Sequence, residues 1–169
     1  MSRVIGIDPG IKGGICTLDG PKNMGLHPMP TSGKSIDWNM VIFHVGVFEG
    51  GSDLAVIEKV MPLPAKIRGG VGSLTSGINY GAIIGILTTL EIPFIEVPPQ
   101  TWMKVVFVGH AWKKQKKYST IWAPKRWPKV EFKASERCKK IHDGMTDAAC
   151  LAEYGRLYLA DNHNRGGLR

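Results

Sequence analysis

The chain is poor in cysteine, in acidic residues and in uninterrupted apolar runs, and each shortage removes a class of protein. Only three cysteines, Cys16, Cys138 and Cys150, occur in 169 residues. Their number is odd and no CxxC spacing is present, so neither a disulfide framework nor a zinc site is expected, and the thiols read as reduced, as in a cytosolic protein. No N-terminal stretch joins a basic head to an apolar run and a small-residue cleavage site, so no secretory signal is expected. The longest apolar segment, "GINYGAIIGILTTL", is short and broken by Asn, Thr and Gly, which argues against a membrane span and a membrane partner. No internal repeat is present, and nothing in the composition reads as disordered.

A content of 43% hydrophobic residues in a chain of this length is enough for one domain with a substantial core. Acids are outnumbered, 14 against 22 Lys and Arg, for a net charge of +8. The imbalance is local. Between Gln100 and Lys140 twelve Lys or Arg face only Glu131 and Glu136, so the remainder of the chain is slightly acidic. A basic block on such a domain is the electrostatic footprint of a nucleic-acid partner. The competing readings are a solvated basic surface or a contact for anionic lipid.

"RVIGID" and "GGICTL" read as a hairpin around a Pro-Gly turn, with a weaker third strand near "MGLHPMP". "SIDWNMVIFHVGVF" places Val41, Val45 and Phe48 on one helical face. "DLAVIEKV" is a buried type of strand that ends on Glu58, and "MPLPAKIRGGVGS" is too punctuated for regular structure. Ser73 is the expected cap of a long helix, "LTSGINYGAIIGILTTL". In that helix Gly77, Gly81 and Gly85 recur every four residues and form one smooth stripe. Each interior glycine costs roughly 1 kcal/mol relative to alanine. Three in register therefore imply a close neighbour, either the sheet of the same chain or the same helix of a second subunit. "IPFIEV" is a further strand and "QTWMKVVF" a helix, while the Trp- and Pro-rich stretch beyond them has no clear pattern. The last helix, "DGMTDAACLAEYGRLYLA", carries Ala148, Ala152, Gly155 and Leu159 on one face. Strands followed by helices after an opening hairpin indicate an α/β fold with a mixed sheet. Residues 1–160 form the single expected domain and 161–169 a flexible tail.

Two strands end on acids, Asp8 and Glu58, and the last helix opens with Asp143 and Asp147 one turn apart on a shared face. Singly, each has a bland reading: Asp8 as a turn residue, Asp143 as a cap, Asp147 as a first-turn acid favoured by the helix dipole. Glu58 has no turn to make. Four carboxylates brought together without cationic partners repel one another unless they share protons or bind a hard cation. Mg2+, with Mn2+ as a substitute, is the expected cofactor, since both prefer carboxylate oxygens.

"IGIDPG", "VIEKV" about fifty residues on, "VPPQTWMK" and "HDGMTDAACLAEYG" together resemble the RuvC family of Holliday-junction resolvases, within the ribonuclease H-like superfamily. The likeness runs in order from Val4 to about Arg156, and it is most similar to the divergent phage-like branch. It implies a ribonuclease H-like fold, a five-stranded mixed sheet with helices on both faces. It further implies that Asp8, Glu58, Asp143 and Asp147 are the catalytic metal ligands of a metal-dependent junction endonuclease in the cytoplasm of a bacterium or a phage-infected host. Two departures stand out. The final acids are four residues apart where bacterial members commonly have three, and Met61 stands where those members place an aromatic wedge.

In such an enzyme two ions per active site share a ligand, here Asp8, while Glu58 and Asp147 hold one ion each and Asp143 assists. His142 reads mainly as a polar residue at a helix start. Lys66, Arg68, Lys113, Lys114, Lys116, Lys117, Lys125 and Arg126 are the expected phosphate contacts, and most tryptophans between them read as core anchors. Paired nicks at symmetry-related positions of a branched DNA call for a C2 homodimer, with Gly77, Gly81 and Gly85 as its surface. Alternatives are a ribonuclease H-like enzyme acting on RNA–DNA hybrid or other branched DNA, and a non-catalytic nucleic-acid-binding module. An actin-like sugar kinase also opens on a strand, an aspartate and a glycine turn, but needs a second lobe for which the chain is too short.

Overall fold

The computed structural model describes residues 2–46, 51–60, 70–111 and 117–166. Their elements run β1 (Arg3–Asp8), β2 (Gly14–Asp19), β3 (Asn23–Pro28), β4 (Thr31–Ser32), β5 (Ser35–Ile36), α1 (Trp38–Val45), β6 (Leu54–Glu58), α2 (Gly70–Thr89), β7 (Phe94–Val97), α3 (Pro99–Val106), α4 (Ser119–Arg126) and α5 (Asp143–Gly166). Five strands form one sheet in the order β3-β2-β1-β6-β7, and β4 pairs only with β5. β1, β2 and β3 are antiparallel neighbours, whereas β6 and β7 join parallel to β1. The α/β architecture is the expected five-stranded mixed sheet with helices on both faces, and the weak third strand is real.

Strand alternation divides the core in two. Val4, Leu18, Leu54 and Val56 face α3, α4 and α5, where Trp102, Phe107, Ala148 and Ala152 complete one cluster. Ile5, Ile7, Ile15 and Ile57 face the opposite way, against Val41 and Val45 of α1 and Ile83 and Leu87 of α2. Helix α5 lies hard against β1. A side-chain carbon at Gly6 would stand 2.1 Å from the Ala148 carbonyl oxygen and 2.4 Å from the Ala152 nitrogen. The small residues of α5 thus let helix and strand backbones meet, and the face read from the sequence is a packing face.

Local capping explains α1: the Asp37 side chain accepts from the Met40 amide at 3.2 Å, and Gly46 closes the helix. Val41 and Val45 are buried as the periodicity predicts; Phe48 lies outside the described residues. Helix α2 corrects the expected start. It begins at Gly70, so Ser73 already has helical backbone and cannot serve as its cap. Helix α4 was not legible in the sequence, because Pro124 stands inside it. The proline falls in the last turn, and the helix ends at Arg126. Helix α5 runs on to Gly166. No described helix is long and apolar enough to cross a membrane. All three cysteines are free, Cys16 and Cys150 buried and Cys138 exposed.

Candidate active site

β1 and β6 lie side by side and parallel, with Ile7 opposite Ile57. Their next residues, Asp8 and Glu58, therefore leave the sheet as neighbours. Alternation sends both to the α5 face, in phase with Val4 and Gly6 on one strand and Leu54 and Val56 on the other. The first turn of α5 then brings Asp143 and Asp147 over the same strand ends. That turn is pinned by glycine: a side-chain carbon at Gly144 would stand 2.2 Å from the Lys12 carbonyl oxygen and 2.5 Å from the Gly13 Cα. The residue directly after Asp143 must be small for α5 to sit on the Asp8 turn.

The four acids meet unequal surroundings. Burial pushes the Glu58 carboxyl up to about 7, with the charges of Asp8 and Asp147 adding to the rise and a hydrogen bond from Trp102 opposing it. Burial likewise raises Asp147 to about 7; a hydrogen bond with Ser119 opposes it, and the charges of Asp8 and Asp143 reinforce it. Asp8 is raised by burial, offset in part by the Gly10 amide, which donates to Asp8 Oδ1 at 3.2 Å. The aspartate therefore shapes its turn and also faces the site. Asp143 goes the other way: the Lys117 ammonium donates to its Oδ2 at 2.5 Å and lowers its pKa. Each of the four acids expected from the sequence interacts electrostatically with at least two of the others, Asp8 with all three.

Three residues that sequence reasoning did not single out support them. Trp102 Nε1 donates to Glu58 Oε2 at 3.0 Å. Ser119 bonds Asp147 and also accepts from Thr146 Oγ1 at 3.1 Å, tying the start of α4 to the start of α5. Gly144 is the third. Only Trp102 left a signal, since an aromatic one helical turn after "VPP" sits where α3 must face the last turn of β6. Lys117, expected as a phosphate contact, pairs with Asp143 and holds a left-handed backbone at φ 55°. His142 Nδ1 accepts from the Met145 amide at 3.3 Å, the helix-start duty read from the sequence.

The remaining basic residues divide. Lys125 is exposed. Arg126 reaches Glu153 at 3.3 Å, and Glu153, itself buried, is also bound by Arg156 at 2.8 Å. Lys66, Arg68, Lys113, Lys114, Lys116 and Met61 lie outside the described residues. Among the described residues, including those of the sheet, no atom lies within 4 Å of a side-chain carbon built at Gly77, Gly81 or Gly85.

A cleft of about 510 Å3 opens over Asp8 and Glu58, walled by Pro9 to Ile11 on one side and by Thr75, Ser76 and Asn79 of α2 on the other. Among the described residues no group of three or more His, Cys, Asp or Glu side chains is gathered closely enough to hold an ion as it stands. The donor chemistry nonetheless fits a hard divalent cation. Asp8, Glu58 and Asp147 are oxygen donors whose pKa values burial and neighbouring carboxylates raise, Asp8 acting on both Glu58 and Asp147, and no buried cation among the described residues neutralises them.

No protein-family model and no curated protein sequence matches the chain. Solved structures do match it in fold. The RuvC of Thermus thermophilus in complex with a Holliday junction substrate superposes with a TM-score of 0.62 at 16% identity, covering 95% of this chain and 96% of that one. A second structure of Thermus thermophilus RuvC gives 0.57, also at 16% identity, with 95% and 96% covered. The yeast mitochondrial Holliday junction resolvase Ydc2 gives 0.56 at 16% identity, covering 99% of this chain and 85% of that one. The chain has a RuvC-like resolvase fold.

Proposed function

We propose that this protein is a metal-dependent, structure-selective endonuclease that cuts four-way DNA junctions by paired, symmetric nicks. One observation carries the reading: Asp8 and Glu58, from adjacent strand ends, line one open cleft, and the charges of Asp8 and of Asp147, from the helix crossing above them, both raise the Glu58 carboxyl. The likeness in fold to a resolvase bound to its junction supports the same substrate class.

Asp8, Glu58 and Asp147 are the residues that would hold two Mg2+ ions, or Mn2+ in their place, with Asp143 assisting. When bound, such ions activate a water for attack on a phosphodiester and stabilise the leaving 3′ oxygen. The chain's own groups do the positioning. Trp102 fixes the Glu58 carboxylate through its indole N–H, the Gly10 amide fixes Asp8, and Ser119 fixes Asp147. Lys117 offers an ammonium to an incoming phosphate at the edge of the site.

Two cuts at symmetry-related positions require two sites, hence a C2 homodimer. Helix α2 supplies a surface for it. Leu74 and Ile78 are 65% and 59% exposed beside the glycine stripe, and Ile42 of α1 extends the apolar patch along Gly85, Ile86 and Leu90. The test is incubation with labelled four-way junction, matched duplex and RNA–DNA hybrid, with and without Mg2+. Mg2+-dependent paired nicks on the junction alone are expected; cleavage of the hybrid alone overturns the reading.

A further inference from the structure

The two faces of α2 differ in chemistry. Its outward face carries Leu74, Gly77, Ile78, Gly81 and Gly85. The face at its N-terminal half that turns toward the acids carries Gly72, Thr75, Ser76 and Asn79, spaced as one helical stripe. This second stripe forms a wall of the catalytic cleft yet contains no charge. Hydroxyls and carboxamides contact phosphate and sugar as well as bases, but a carboxamide can pair a donor and an acceptor at once only with a base edge, since a phosphate offers acceptors alone.

Within this wall Asn79 stands apart. Ser76 Oγ is turned back to the Gly72 carbonyl at 2.9 Å, and Thr75 and Ser76 both carry further interactions. Among the described residues the carboxamide of Asn79 has no hydrogen-bond partner, although it lines the same cleft as Asp8 and Glu58. Gly72, two helical turns earlier on the same stripe, has no described atom within 4 Å of a side-chain carbon built there. Its small size thus leaves room above the acids that no part of the described protein fills.

Resting on the nuclease reading, we infer that Asn79 is a specificity-determining residue that reads the base adjoining the scissile phosphate. A carboxamide presents one acceptor and two donors in a plane. That pattern matches adenine, whose N7 accepts and whose N6 amino group donates, and a bidentate pair of this kind discriminates against other bases by on the order of tenfold or more. The acids below would then cut where a fitting base anchors the strand, so that recognition and chemistry share one cleft. Helix α2 would carry base reading on its inner face and subunit pairing on its outer one.

The test uses four-way junctions identical except for the base flanking the scissile phosphate, with cleavage rates measured in Mg2+ for the full chain, Asn79→Ala and Asn79→Asp. Both variants keep a helix former or a close isostere at a partly exposed position, and circular dichroism checks that they fold. The wild type is expected to favour adenine by about tenfold or more. Asn79→Ala is expected to reduce the spread between best and worst base to less than about threefold. Asn79→Asp, which offers only acceptors, is expected to shift preference toward cytosine, whose N4 amino group donates. An unchanged preference in both variants, or a wild type that cuts junctions with no preference at this position, overturns the inference and leaves the nuclease reading standing. A wild type that cuts no nucleic acid overturns both.

Discussion

The indole nitrogen of Trp102 donates a hydrogen bond of 3.0 Å to Oε2 of Glu58, joining positions 44 apart in the chain. Trp102 is fully buried, and its N–H has been spent on an acid that burial otherwise pushes toward protonation. Trp102→Phe keeps most of the ring and removes only the donor. Hydrogen bonds to charged groups are worth about 1.5–3 kcal/mol. Chemical denaturation at neutral pH should show a loss of about that size or less, and the Glu58 carboxyl should rise further. Protons and cations compete for the same oxygens, so the Mg2+ concentration for half-maximal cleavage should increase at pH near 7 and recover toward the wild-type value at higher pH. An unchanged Mg2+ midpoint would argue that Glu58 is not a ligand.

The acids also set the sign of the pH dependence of stability. Glu58 and Asp147 each have folded-state values of about 7, above their ordinary 4.5 and 3.8. The folded state therefore holds protons that the unfolded state has released between about pH 4 and pH 7. Stability in chelator should fall as pH rises through that window, by an amount on the order of a few kcal/mol for the coupled pair. Added Mg2+ or Mn2+ should oppose the fall at neutral pH and leave stability near pH 4 unchanged, because there the acids are protonated. Thermal unfolding across pH, with and without metal, measures both. A melting temperature that climbs with pH in chelator would contradict the geometry of the site.

What could be read from the sequence and what could not follows from the range of each signal. The strand-ending acids, the "DGMTD" helix start and the alternating cores are local patterns, and the fold turns on them. Trp102, Ser119 and Lys117 act on acids 44, 28 and 26 positions away in the chain, across a sheet or between helices, and no periodicity reports such contacts. The start of α2 was misplaced because Ser73 has the chemistry of a cap while its backbone is already helical. Helix α4 was hidden by Pro124, a residue that argues against a helix anywhere beyond its first turn. The need for glycine at position 144 is set by the Lys12 carbonyl, which stands where its side chain would be and lies far away in the chain.

Arg126 and Lys125 are adjacent in sequence but differ in role. Arg126 shares Glu153 with Arg156, and Glu153 is only 4% exposed. Removing Arg126 leaves the acid still paired, so Arg126→Ala should cost about 1 kcal/mol or less of stability. Removing Glu153 leaves two partly buried guanidinium groups facing each other, and Glu153→Ala should cost about 3 kcal/mol or more. Lys125→Ala should leave stability unchanged and reduce the salt dependence of junction binding by about one phosphate contact. Denaturant titrations and binding isotherms at several salt concentrations separate these outcomes.

The glycines of β1 and α2 make opposite predictions from the same chemistry. At Gly6 an added methyl would enter the backbone of α5, 2.1 Å from the Ala148 carbonyl oxygen. Gly6→Ala should therefore force helix and strand apart, costing about 3 kcal/mol or more, as overpacking against rigid backbone does. At Gly81 the same methyl meets nothing within 4 Å, and alanine is the better helix former by about 1 kcal/mol. Gly81→Ala should thus stabilise the isolated subunit by up to that amount. If α2 pairs with its own copy through the stripe, the larger Gly81→Leu should keep the stable fold and yet weaken association, shifting sedimentation toward monomer and replacing paired nicks on the junction with single ones. A Gly81→Leu protein that sediments as the wild-type dimer would move the subunit contact away from this face, whereas a destabilised Gly81→Ala monomer would show that the stripe is packed within the chain after all.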